Sequence, residues 1–206
     1  MSKSPEEGKI WEWRAFGKLS DDLVAQARAY PIRMGIKDIQ GEDLYLISPD
    51  SDQNVKLRRS PGGWVLKIKL LFETRTAPIE LYSESAEFTY PLPVPLDRVK
   101  EAAVLLATSL PQTILGLDQL FDSDKLINAL AKSSPPIVET TVSKVRSQFA
   151  FENGWFELAD VDFEQCSTQS ISVNSRDLEV VKEVTNQLET GNLEVMNYVE
   201  ACRRWG

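Results

Sequence analysis

Lys56 and Arg58 alternate with Val55, Leu57 and Arg59 along one run of the chain. After a Ser-Pro-Gly-Gly turn, Lys67, Lys69 and Arg75 take one side of a second run, opposite Trp64, Leu66, Ile68 and Leu70. In an extended chain successive side chains point to opposite faces, so each run is a two-faced ribbon with cations on one side. A hairpin through the turn sets the two basic pairs beside one another. Like charges at that density repel. They demand an anionic partner, an acidic facing strand, or both. The same spacing recurs in Glu12 and Arg14 of GKIWEWRAFG, in Lys144, Arg146 and Gln148, and in Asp160, Asp162 and Glu164.

The elements that must carry these residues follow from periodicity. Gly8 to Gly17 reads as a strand with Trp11 and Trp13 on the face opposite Glu12 and Arg14, covered by helices. Ser20 has N-cap chemistry, with Asp21 and Asp22 in the first turn of a helix that stops at Pro31. Gly41 to Pro49 is the next strand, and the Lys/Arg hairpin follows. Ile79 to Pro93 is extended but broken by prolines, which a central strand excludes. Val99, Ala102, Ala103, Leu106 and Leu110 then recur at helical spacing, and Leu117, Leu120, Leu126, Ile127 and Leu130 form a second helical pattern. Strands return over Ile137 to Phe151, Trp155 to Cys166 and Thr168 to Asn174. Two helices close the chain, one over Leu178 to Glu189 and one from the cap residue Asn192. Pro5 to Glu7 reads as an unstructured tip.

With 206 residues, 26% charged and 42% hydrophobic, the chain has the balance of a globular protein and needs only one domain. The net charge of −8 argues against general nucleic-acid binding, which needs a broad basic surface. No apolar run reaches the roughly 18 residues that span a membrane, and the start MSKSPEEGK lacks the apolar core of a signal peptide. A cytoplasmic location is expected. Two cysteines make no disulfide framework, and without histidine neither a Cys/His zinc site nor a histidine triad can form. The expected fold is α+β: an eight-stranded antiparallel barrel, closed or flattened into a tunnel, with charged faces inward and helices packed outside. The alternative is an ordinary α+β sandwich whose charged faces meet solvent.

The order of motifs resembles the CYTH superfamily, the triphosphate tunnel metalloenzymes that include thiamine triphosphatases, class IV adenylate cyclases and inorganic triphosphatases. The family's opening Glu-x-Glu-x-Lys falls on Ile10, Glu12 and Arg14. Its Gln-x-x-Asp-x-Tyr segment appears as Gln40, Asp43 and Tyr45, and its paired basic residues as Lys56 with Arg58 and Lys67 with Lys69. A later Lys-x-Arg matches Lys144 and Arg146, and an aspartate-led strand matches Asp162. The resemblance implies one CYTH-like domain over residues 1–206, with a helical insertion at about 96–133 and C-terminal helices at about 177–205. It implies a small polyanionic, triphosphate-like ligand held by Arg14, Lys56, Arg58, Lys67, Lys69, Lys144 and Arg146. It also implies Mg2+ or Mn2+ held by Glu12, Glu80, Asp160 and Asp162 for a metal-dependent phosphohydrolase.

The departures fall on the acidic half. The closing Glu-x-Glu of the family lands on Ser172 and Asn174, the first glutamate on Ile10, and the central Arg-x-Glu-x-Glu on Pro78, Glu80 and Tyr82. Lysine and arginine grip phosphoryl oxygens, whereas carboxylates hold the metal that positions or activates water. The basic half is kept and much of the acidic half is replaced, so no residue is assigned as catalytic. Two readings stand: a tunnel protein binding a triphosphate, polyphosphate or phosphorylated organic anion with weak or altered hydrolysis, and a non-catalytic scaffold whose basic strands pair with internal carboxylates. No nucleic acid or membrane partner is expected, and a homodimer through the Trp64 face and the C-terminal helices is a further expectation.

Overall fold

The computed structural model describes residues 8–30, 34–75, 78–83, 88–116 and 119–206, with the backbone alone of 34–38. The expectations placed on Pro5 to Glu7, Pro31 and Leu117 lie outside these residues. In chain order the elements are β1 (Lys9–Phe16), α1 (Asp21–Ala29), β2 (Met34–Ile47), β3 (Asn54–Ser60), β4 (Gly63–Lys69), β5 (Leu71–Thr74), β6 (Ile79–Ser83), β7 (Thr89–Pro91) and β8 (Val94–Pro95). There follow α2 (Leu96–Leu105), α3 (Gln112–Leu115), β9 (Leu120–Phe121), α4 (Ser123–Ala131), β10 (Val138–Phe151), β11 (Gly154–Asp162), β12 (Ser167–Ser175), α5 (Leu178–Gln187), β13 (Glu194–Val195) and α6 (Tyr198–Trp205).

Contacts divide the chain into two compact units, each assembled from distant stretches. The first takes the described residues of 1–40, 71–84 and 143–197, and the second those of 41–70, 85–142 and 198–206. Both are α+β, and their strands pair antiparallel. The first unit runs in the order β5-β6-β1-β12-β11-β10, with β13 also on β1. Its apolar face carries Trp11, Trp13, Ile79, Leu81, Phe149, Phe156, Leu158, Ile171 and Val173, packed under Leu23 and Ala27 of α1 and Val181 and Val184 of α5. Ser20 caps α1 by accepting from the Leu23 amide at 3.1 Å, as its type and position require.

The second unit runs β2-β3-β4-β7. Leu46, Val55, Leu57, Leu66 and Ile68 face Val99, Ala102 and Ala103 of α2 and Leu126, Ala129 and Leu130 of α4. Leu57 and Leu66 stand opposite one another and are wholly buried, which stabilises the sheet by about 1.5–3 kcal/mol each. The hairpin closes with Ser60 opposite Gly63. Gly63 has φ of 113°, a conformation that a side chain would strain.

Three elements depart from the sequence reading. β2 begins at Met34 rather than Gly41. Leu120, expected on a helix, lies in the short strand β9 opposite Pro95 and is exposed. The closing helix starts at Tyr198 rather than near Asn192, because Glu194 and Val195 pair with Phe16 and Ala15 of β1. A free sheet edge outcompetes the helical periodicity there.

Candidate functional site

The first unit turns a buried polar face away from its core. Strand register aligns Glu12 with Glu80 and with Asn174, Arg14 with Ser172, Ser172 with Glu157, and Glu157 with Gln148. Arg14 is the hub of this face. Its Nε donates to Glu12 at 3.1 Å, one terminal nitrogen to Ser170 at 3.3 Å, and the other to Glu157 at 3.2 Å and Ser172 at 3.1 Å. Glu157 also accepts from Arg146 at 3.2 Å and Gln148 at 3.0 Å. Burial pushes the Glu157 carboxyl up, but Arg14, Arg146 and Lys144, with the Gln148 hydrogen bond, outweigh it and hold the group well below the usual carboxylate range. Glu80 accepts from the Tyr82 hydroxyl at 2.8 Å and the Asn197 amide at 2.6 Å. Burial, then the charges of Glu80 and Glu12, push the Tyr82 hydroxyl well above its ordinary value.

The second unit places Asn54, Lys56 and Arg58 of β3 on one face with Lys67 and Lys69 of β4, Lys56 directly opposite Lys67 and Asn54 opposite Lys69. Asp43 and Tyr45 of β2 line up beside Arg58 and Lys56. Asp43, only 1% exposed, accepts from Arg58 at 2.6 and 2.8 Å and pairs with the Lys56 amine at 3.1 Å. The Lys56 amine also donates to the Tyr45 hydroxyl at 3.0 Å. Burial and the Asp43 charge push that hydroxyl well above its ordinary value, with Arg58 opposing. Tyr45 in turn stacks on Tyr198 of α6, ring centres 5.6 Å apart.

Lys56, Arg58, Lys67 and Lys69 therefore share one face in the second unit, and Arg14, Lys144 and Arg146 share one in the first. The proposed metal ligands do not come together in this way. Glu12 and Glu80 lie on the buried face, but Asp160 and Asp162 are exposed on the opposite side of β11, and Asp160 accepts from Gln169 at 3.0 Å. Glu157 is the acidic residue that the sequence reading missed. The hairpin joining β10 to β11 pairs Phe151 with Gly154, and counting outward from it sets Lys144, Arg146 and Gln148 level with Val161, Ala159 and Glu157. That count, applied to the turn at Asn153-Gly154, would have found Glu157 and set Asp160 aside.

A divalent metal does not fit this donor set. Among the described residues no group of three or more acidic or cysteine side chains is arranged to hold one. Glu12 and Glu157 are already counter-ions of Arg14, and Ser172 and Asn174 supply a hydroxyl and an amide, joined by a hydrogen bond at 3.0 Å, where the resembled family has carboxylates. The guanidinium occupies the cation's role on this face. Cys166 and Cys202 are not joined in a disulfide, and among the described residues no helix is long and apolar enough to cross a membrane.

No family profile matches the sequence, and no curated protein sequence matches it. Solved structures do. A conserved hypothetical protein from Pyrococcus furiosus aligns over 92% of this chain and 98% of its own with a TM-score of 0.51 and 14% identity, a likeness of fold. A candidate adenylate cyclase from Bacillus halodurans aligns over 94% and 98%, with a TM-score of 0.49 and 13% identity. A candidate adenylyl cyclase from Hippeastrum with a dominant triphosphatase activity aligns over 95% of both chains, with a TM-score of 0.49 and 12% identity.

Proposed function

We propose that this chain is a diverged, single-domain CYTH-like tunnel protein that binds a triphosphate, polyphosphate or phosphorylated organic anion. The observation that carries the reading is the hairpin face on which Lys56 stands opposite Lys67, with Arg58 and Lys69 on the same strands. Cations set at adjacent strand positions repel one another, so the face favours negative charge, and their donors match the oxygens of linked phosphates. Asp43 holds Lys56 and Arg58 in fixed positions, so little side-chain entropy remains to be lost when an anion arrives. The resemblance implies that Arg14, Lys144 and Arg146 contact the ligand as well.

No metal-assisted hydrolysis is proposed, because among the described residues no group of three or more acidic side chains is arranged to hold the ion. The chemistry supported is recognition of phosphoryl oxygens by lysine and arginine donors. A second reading, a non-catalytic scaffold, is favoured by one observation: the charges on the polar face of the first unit are already joined to each other through Arg14, Glu12, Glu157 and Arg146. Calorimetric titration with inorganic tripolyphosphate separates the two. The binding reading expects saturable binding that the double variant K56A/R58A weakens more than tenfold. Absence of binding to the wild-type protein leaves the scaffold.

A further inference from the structure

We propose that Glu157 is a built-in counter-anion that competes with the ligand for Arg14 and Arg146 and thereby sets the affinity and charge of the anion this protein takes. The inference rests on the anion-binding reading above. The register places Arg14, Lys144 and Arg146 on the buried polar face of the first unit together with Glu12, Glu80 and Glu157, three cations with three carboxylates among the described residues. The carboxylates differ in what they do. Glu12 touches Arg14 from the same strand, and Glu80 is taken up by Tyr82 and Asn197. Glu157 bridges two arginines from two different strands, Arg14 of β1 through Oε1 and Arg146 of β10 through Oε2, both at 3.2 Å.

That is the geometry in which one phosphoryl group would be held, two guanidinium donors converging on neighbouring oxygens. Gln148 adds a third donor to the same carboxylate, and Ser170 and Ser172 fill the remaining Arg14 directions. Glu157 is about 6% exposed, so its pairing is little screened by water. The charge within Coulomb reach of both arginines is also what depresses its carboxyl. A polyanion reaching these arginines must displace a carboxylate already fitted to them, and its own charge is repelled by that carboxylate. The repulsion grows with the charge the ligand carries, so Glu157 penalises the more highly charged anion.

The test is calorimetric titration of inorganic pyrophosphate and tripolyphosphate into the wild-type protein and Glu157→Gln, which keeps the shape and the Gln148 contact but removes the charge. About a tenfold or greater gain in tripolyphosphate affinity is expected, with a smaller gain for pyrophosphate. A folded E157Q that binds tripolyphosphate no more tightly than a binding-competent wild type overturns the inference and leaves the anion-binding reading intact. Failure of both proteins to bind overturns that reading, and the inference with it. Should E157Q prove unfolded, tripolyphosphate supplies the missing anion and is expected to restore the native circular dichroism spectrum where sodium chloride of equal ionic strength does not. No restoration overturns the inference.

Discussion

Arg14 touches Glu12, Ser170, Glu157 and Ser172, and the contacts to Glu12 and Ser172 fall at positions where the resembled family has metal-holding carboxylates. Glu12, expected at a metal, meets a guanidinium, as does Glu157, and Ser172 accepts a hydrogen bond where the resembled family has a carboxylate. A pH dependence follows. The folded-state pKa of Glu157 lies below the unfolded value of about 4.3, so its contribution to stability is full above that value and is lost as pH falls below it. Urea denaturation as a function of pH should show this acid limb, and E157Q should flatten it. Asp43 gives the matching prediction in the second unit. It is buried between Lys56 and Arg58, so Asp43→Ala leaves two cations without their carboxylate and should cost about 3–5 kcal/mol in urea denaturation.

The strands and helices were legible where one local rule governs and illegible where two compete. The β3 and β4 hairpin follows from alternation and its turn, and its apolar side obeys the same rule. Leu57→Ala, at a wholly buried position, should cost about 2.7–5 kcal/mol in unfolding free energy. Helix α5 begins where Asp177 accepts from the Glu179 amide at 2.9 Å, and Asp177→Ala should cost about 1 kcal/mol by thermal unfolding. The segment before α6 was misread because Leu193 and Met196 have helical spacing with Val199 and Cys202. Pairing of Glu194 and Val195 with β1 is a long-range contact that no local window contains. The early start of β2 escaped notice for a local reason, since its first residues lack clear alternation.

For the whole chain, ligand binding should raise thermal stability: tripolyphosphate at a hundred times its dissociation constant adds about 2.7 kcal/mol, a rise of about 5–10 °C for a chain of this length. The shift should shrink with added salt, because charge supplies the binding. A rise that is the same in K56A/R58A would refute the hairpin face as the ligand's contact. The amino-acid sequence by itself determined the α+β class, the cap at Ser20, the helical pattern of Val99, Ala102 and Ala103, and the grouping of Lys56 with Arg58 and of Lys144 with Arg146, because each depends on the period of a single element. It also placed Trp11 and Trp13 on the packed face of β1, where they are buried. Only the tertiary structure decided which carboxylate meets which cation. Arg14 and Glu157 are separated by 143 residues, and their meeting depends on the relative register of β1, β12 and β11. Periodicity tells which residues of one strand share a face, but the phase between strands is set by turns and packing. That phase brought Glu157 inward and left Asp160 and Asp162 outside.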